Sequence, residues 1–183
     1  MARELRFHRR VALQLDFLFD PEPTEELKQQ LLDVWVEVTN ADGAVGFVPP
    51  VERADIAPAL ERALAAIERG DDHLIVGVNE GEVVGFAFLV GRPSPLFRHW
   101  ITVKRLQVLP ELQGQGLGSQ FMDAIERFSR ELGLEQIHLT VRGETGTELF
   151  YERHGYEIVA TLPGVIRVSP GNDVDEIYMI KRL

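Results

Sequence analysis

The sequence predicts an α/β fold of the mixed α+β kind, with a central sheet flanked by helices. Three observations predict it. Apolar runs of strand length interleave with amphipathic stretches of helical period along the chain. A glycine-rich turn, Gln113-Gly114-Gln115-Gly116-Leu117-Gly118, joins one such run to one such helix. No repeat, linker or low-complexity tract interrupts the 183 residues, so a single domain over 1–183 with a well-buried core is expected.

Residues 11–19 alternate loosely in polarity and read as the first strand, which Pro21-Glu22-Pro23 ends. Thr24 caps a helix whose first turn carries Glu25 and Glu26, acids that suit its positive end. Leu27, Leu31, Val34, Trp35 and Val38 share one face of that helix, and Asn40-Ala41-Asp42-Gly43 closes it. Residues 43–50 form a loop in which Val45, Phe47 and Val48 look exposed. A second helix spans about residues 55–69 with Ile56, Leu60, Leu64 and Ile67 as its stripe; Pro58 is tolerable there if it lies in the first turn. Residues 73–78 and 83–90 form a hairpin around Asn79-Glu80-Gly81.

Arg92-Pro93-Ser94-Pro95 breaks the chain before a fourth strand at 100–109. The third helix covers 117–132, with Leu117, Phe121, Ala124, Ile125, Phe128 and Leu132 facing inward, and Gly133 stops it. Ile137, Leu139 and Val141 alternate with polar residues as a fifth strand. A short helix at 147–153 and strands at 156–162 and 175–181 complete the pattern.

Composition excludes several function classes. The absence of cysteine removes disulfides, thiolate metal sites and a cysteine nucleophile. His8, His73, His99, His138 and His154 show no ligand spacing, so no metal is expected. The net charge of −10 opposes non-specific nucleic-acid binding. It is compatible with a cationic substrate, although solubility alone explains it more simply. Arg3, Arg6, Arg9 and Arg10 precede an apolar run in the manner of a signal peptide, but Gln14 and Asp16 interrupt that run and no small-residue cleavage site follows. No stretch approaches the roughly 18 apolar residues of a membrane span. The cytoplasm is the expected location, with no membrane partner.

The glycine-rich turn carries the chemistry. A turn from strand into helix leaves backbone N–H groups unpaired at the positive end of the helix dipole, a setting that favours phosphate or pyrophosphate. Gly116 and Gly118 have no side chain to block a close approach. Taken alone, the segment is equally a plain tight turn. No lysine is placed to grip a terminal phosphate as in a P-loop, and the motif falls too late in the chain for a dinucleotide fingerprint.

Gln113-x-x-Gly116-x-Gly118, following Leu106-Gln107-Val108-Leu109-Pro110, is similar to the acyl-coenzyme A pyrophosphate loop of the GNAT superfamily of N-acetyltransferases, whose pattern is Arg/Gln-x-x-Gly-x-Gly/Ala. About 40 residues downstream, Leu149-Phe150-Tyr151-Glu152-Arg153-His154-Gly155-Tyr156 resembles that family's Leu-Tyr-x-x-x-Gly-Phe segment. Two motifs at the family's separation are far more specific than either one. The resemblance covers roughly residues 74–162. It implies a mostly antiparallel mixed sheet whose fourth and fifth strands splay apart, with acetyl-coenzyme A as cosubstrate. It further implies cofactor contacts from Leu106, Gln107, Val108, Gln113, Gly114, Gln115, Gly116, Leu117, Gly118 and Ser119. A small-molecule amine is the implied acceptor. Homodimers are common for this fold.

The fourth strand bears on the splay. Ile101 and Val103 share one parity, Leu106 and Val108 the other, with the break at Lys104-Arg105. A β-bulge produces such a flip; burial on both faces would make parity meaningless. The family has a bulge in this strand, and its implication is that backbone groups of Leu106 and Val108 hold the pantetheine arm and polarise the thioester carbonyl.

Acetyl transfer requires an amine to attack a thioester through a tetrahedral oxyanion that fixed N–H groups stabilise. By resemblance, Tyr151 donates a proton to the departing thiolate; without the flanking Gly155-Tyr156 it would read instead as a core tyrosine capping the sheet. The base is open. The family's strand glutamate is matched by Thr102, and its Asn and Ala before the tyrosine by Glu144 and Thr147. Glu144 is thus a candidate base, or simply an exposed loop glutamate, and a water relay is a third route. Phe47, with Val45 and Val48, either walls the acceptor site or anchors its loop. The resulting expectation is an N-acetyltransferase acting on a small-molecule amine by direct attack in a ternary complex. The alternatives are a protein or peptide N-acetyltransferase, or an acyl-coenzyme A sensing domain without turnover.

Overall fold

The computed structural model describes residues 13–183. The arginine-rich segment at 3–10 and the first residues of the expected opening strand lie outside the described residues. Seven strands form one sheet: β1 (Asp16–Phe19), β2 (Asp72–Asn79), β3 (Glu82–Val90), β4 (Trp100–Val108), β5 (Gln136–Arg142), β6 (Glu157–Ser169) and β7 (Asn172–Arg182). Their spatial order is β1-β2-β3-β4-β5-β7-β6. Every pairing is antiparallel except β4 with β5. Helices α1 (Glu25–Asn40) and α2 (Arg53–Glu68) cover one face, and α3 (Leu117–Glu131) packs on the other, with the short α4 (Glu148–Arg153) beside it. This is the mixed, mostly antiparallel sheet with flanking helices that the sequence predicts.

Each face has its own core. Trp35, Phe86, Phe88, Ile56 and Leu60 fill the α1/α2 side, while Phe121, Met122, Ile125, Ile75 and Leu139 fill the α3 side. Burial on both faces makes the middle of β3 a continuous apolar run. Capping at α1 is as expected: the Thr24 hydroxyl accepts from the Leu27 N–H at 3.2 Å.

Four expectations need correction. Val45 is buried, because the Trp35 indole N–H donates to its carbonyl at 3.0 Å and the Asn40 amide bonds both backbone groups of Val51 at 2.9 Å, folding the loop onto α1. Helix α2 begins at Arg53, where the Asp55 carboxylate accepts from the Glu52 N–H at 2.8 Å. Pro58 is therefore the sixth helical residue rather than part of the first turn; it is exposed, so the carbonyl it cannot satisfy has access to water. Leu132 is 41% exposed, since the helix has turned out of the core before Gly133, whose φ is 75°. The last hairpin is much longer than expected. The strand expected to end at residue 162 runs on through Pro163-Gly164, with a register shift between Leu162 and Ile166. An edge strand tolerates proline, and the Asp175 carboxylate recovers the Gly164 N–H at 2.9 Å.

Candidate active site

The site begins with the irregularity in β4. Phe88 pairs with Lys104 and Phe86 with Gln107, so Ala87 alone faces both Arg105 and Leu106. One extra residue on β4 is a β-bulge, and Arg105 sits in it at a φ of 55°, in the left-handed region that side chains other than glycine rarely adopt. The bulge turns Val108 into the same core as Ile101 and Val103 despite the change of parity. Parallel pairing of β4 with β5 ends at Val103 and Leu139, while β5 continues along β7 as far as Arg142 opposite Glu176. The two strands part beyond that point. A cleft of about 480 Å³ opens between them.

The glycine-rich turn closes one end of this cleft. A short turn at Pro110–Leu112 follows β4, and the Gln113 side chain donates back to the Val108 carbonyl at 2.9 Å. Gly114 and Gly116 have φ of 73° and 83°, which explains why glycine occupies both. Gly116 is the residue that caps α3. Among the described residues, no backbone acceptor takes the N–H groups of residues 114–119. Leu117 is buried in the core and anchors the start of the helix, while Gly118 lies against Phe150, where an added Cβ would come within 3.2 Å of the ring. Ser119 hydrogen-bonds His154 at 3.0 Å, tying α3 to the end of α4.

Leu106, Gln107, Val108, Gln113, Gly114, Gly116, Leu117, Gly118 and Ser119 all line the cleft, and so does Tyr151. Gln115 does not; it is exposed, and its amide bonds the Glu111 carbonyl at 3.3 Å. Gln107 is buried, with its amide nitrogen spanning the bulge to the Arg105 carbonyl at 3.3 Å and its side-chain oxygen lacking a partner. Tyr151 projects from α4 between the rings of Phe150 and Tyr156, at centroid distances of 5.1 and 5.7 Å. Its burial pushes the phenol up to about 12. Burial also raises the neighbouring Tyr156, with the Glu126 carboxylate adding to the effect.

Glu144 is not among the lining residues. It is exposed in the loop after β5, at a φ of 65°. Thr102 is half-buried in the ladder between Val90 and His138, also outside the lining. Among the described residues, no aspartate or glutamate lines the cleft. Sequence reasoning passed over Arg105 and Arg142, which do. The parity break at Lys104-Arg105 marked the position without revealing that its side chain would turn into the site.

Residues 70–158, from the edge of β2 to the start of β6, match the acetyltransferase (GNAT) domain. This stretch of the chain is a GNAT acetyltransferase domain. Among its relatives, mycothiol acetyltransferase of Propionibacterium freudenreichii subsp. shermanii is 37% identical over 71 residues, which are 38% of this chain and 23% of that protein. Aminoalkylphosphonate N-acetyltransferase of Salmonella typhimurium is 32% identical over 87 residues, 46% of this chain and 56% of that protein. The matches thus span about a quarter and about half of these relatives. The fold matches an aminoglycoside 6'-N-acetyltransferase complexed with coenzyme A, with a TM-score of 0.69 and 18% identity over 91% of this chain and 96% of that one. Among the described residues, no helix is long and apolar enough to cross a membrane, and no cluster of three or more His, Asp or Glu could hold a metal ion.

Proposed function

We propose that this GNAT-family chain is an acyltransferase that moves the acetyl group of acetyl-coenzyme A to the primary amine of a small molecule, by direct attack in a ternary complex. One observation carries the reading: the gap between β4 and β5 leads onto the unpaired N–H groups at the start of α3, with Tyr151 in the same cleft. A pyrophosphate fits that helix terminus, because the N–H groups there need acceptors and the dipole favours an anion. The orphaned oxygen of Gln107 and the open space beside Gly116 suit a ligand that runs from the bulged strand to the helix start.

Acetyl-coenzyme A supplies an acetyl thioester, activated toward amines. The chain's residues do the rest. N–H groups of residues 114–119 bind the pyrophosphate. Backbone groups of Leu106 and Val108, on the β4 edge that β5 has left, orient the arm and stabilise negative charge developing on the carbonyl oxygen. Tyr151 keeps its proton at neutral pH and gives it to the departing thiolate. With no carboxylate along the cleft, the amine enters as its free base or loses its proton to water, and Glu144 acts at most indirectly.

The name of one relative, an aminoalkylphosphonate N-acetyltransferase, and the modest volume of the cleft favour a small acceptor over a peptide. Thiol release from acetyl-coenzyme A, followed across a panel of primary amines and peptides, tests the reading. Release that depends on added small amine is the expected result. Tight acetyl-coenzyme A binding without release for any acceptor would instead indicate a sensing domain.

A further inference from the structure

The cleft between β4 and β5 continues into a second one of about 350 Å³, with Val45, Val103, Arg105, Thr140 and Arg142 on both walls. Its far side is made by Phe47 and Val48 of the loop after α1 and by Ile166 and Val168 of β6. Among the described residues, four that line it are basic, Lys104, Arg105, Arg142 and Arg167, and none is acidic. That is unexpected in a chain carrying ten more acids than bases. Arg167 is already neutralised by a two-pronged pair with Asp173, at 2.6 and 2.7 Å. Lys104, Arg105 and Arg142 form no salt bridge among the described residues.

Arg105 stands where the two clefts meet, and its position is held from several sides. Its backbone occupies the bulge at a φ of 55°. Its guanidinium lies over the Trp35 ring at 4.8 Å. Gly46 gives it room, since a Cβ there would come within 3.0 Å of Nε. Desolvation lowers its pKa, with Arg62 adding repulsion. A partly desolvated guanidinium without a carboxylate is unfavourable, and a planar anion meeting its fork would relieve it. Strained backbone at such a place is what a ligand clamp retains.

We propose that the acceptor amine carries an anionic group, a carboxylate or a phosphonate, which binds Arg105 with Lys104 and Arg142 beside it while the amine reaches toward Tyr151. This rests on the acyltransferase reading and specifies its substrate class. The apolar walls of Phe47, Val48 and Ile166 suit a short aliphatic linker between the two ends.

Calorimetry on the full chain loaded with coenzyme A, a dead-end complex, tests it without turnover. The probes are 2-aminoethylphosphonate, β-alanine, propylamine and 1,3-diaminopropane. One or both anionic amines should bind at least ~10-fold more tightly than propylamine, with the diamine weakest, and their ratio tells phosphonate from carboxylate. Arg105→Gln should remove most of that preference while coenzyme A and propylamine change by less than ~3-fold. Arg142→Gln and Lys104→Gln should each weaken the anionic amines in the same direction, and they serve in place of Arg105→Gln if that variant does not fold. Equal binding of all four amines, or of none, overturns the proposal. So does an Arg105→Gln variant that loses coenzyme A and keeps the preference, which would assign Arg105 to the cofactor. Failure of coenzyme A itself to bind the unaltered chain would overturn the acyltransferase reading as well.

Discussion

Replacing Tyr151 with phenylalanine removes one hydroxyl and leaves the ring packed against Phe150 and Tyr156. Burial moves this phenol from 10.0 to about 12, which disfavours the folded phenolate by about 2.7 kcal/mol. At pH 8 only about one molecule in 10⁴ is ionised, so the proton is available to a leaving thiolate. Tyr151→Phe should therefore lower kcat by ~10²-fold or more with coenzyme A affinity nearly unchanged, as loss of a general acid does. Steady-state thiol release and calorimetry with coenzyme A measure the two quantities. The same burial predicts a pH effect on stability. Unfolded tyrosine loses its proton near pH 10 while the folded group holds it to about 12, so the folded state binds more protons in that window. The stability is fully present below pH 10 and is lost as pH rises through 12, by up to about 2.7 kcal/mol from this residue. Urea unfolding at pH 8 and above pH 11 should show a smaller alkaline loss in Tyr151→Phe than in the parent. Equal losses of turnover and cofactor affinity would refute the acid role, and an identical alkaline loss would refute the burial argument.

Other predictions concern the cofactor loop, proton removal and the core. Gly116→Asp should weaken coenzyme A at least ~10²-fold in calorimetry, because its carboxylate repels a pyrophosphate at the helix start; the left-handed φ of 83° adds strain of about 1–2 kcal/mol that a Gly116→Asn variant shares without the charge, and unchanged affinity in Gly116→Asp would remove the basis for the cofactor site. Activity should rise with pH toward the amine's own pKa of about 10.4, and Glu144→Gln should cost less than ~10-fold. A bell-shaped profile with an acidic limb near neutrality that Glu144→Gln erases would identify Glu144 as a dedicated base. Lys181 reaches the Glu126 carboxylate at 2.5 Å and the His154 carbonyl at 2.7 Å, both in largely buried surroundings. Lys181→Met should cost ~2 kcal/mol in chemical denaturation, because it leaves Glu126 only the longer pair with Arg130 at 3.4 Å, and the double change with Glu126→Leu should recover part of it; a single-variant loss below ~1 kcal/mol would refute the pair's role.

What the sequence determined by itself is what short-range physics controls. Caps, helical stripes and glycine turns act within a few residues, so Thr24, the face of Phe121 and Ile125, and the Gly116–Gly118 turn were legible, as was the parity break of β4. The Tyr151 segment was legible by its resemblance. The tertiary structure alone decided what depends on distant partners. Val45 is buried where Trp35, ten residues earlier, reaches its carbonyl and Asn40 ties down Val51. Glu126 and Lys181, 55 residues apart, meet only because β7 enters the sheet between β5 and β6. No local pattern keeps Glu144 out of the cleft's lining or turns Arg105 into it. The bulge alters the facing of a side chain, but Arg105 comes to line a cleft only where β5 has separated from β4 and the loop after α1 supplies a wall. A residue's propensity is local; its burial and the field around it are sums over the whole fold.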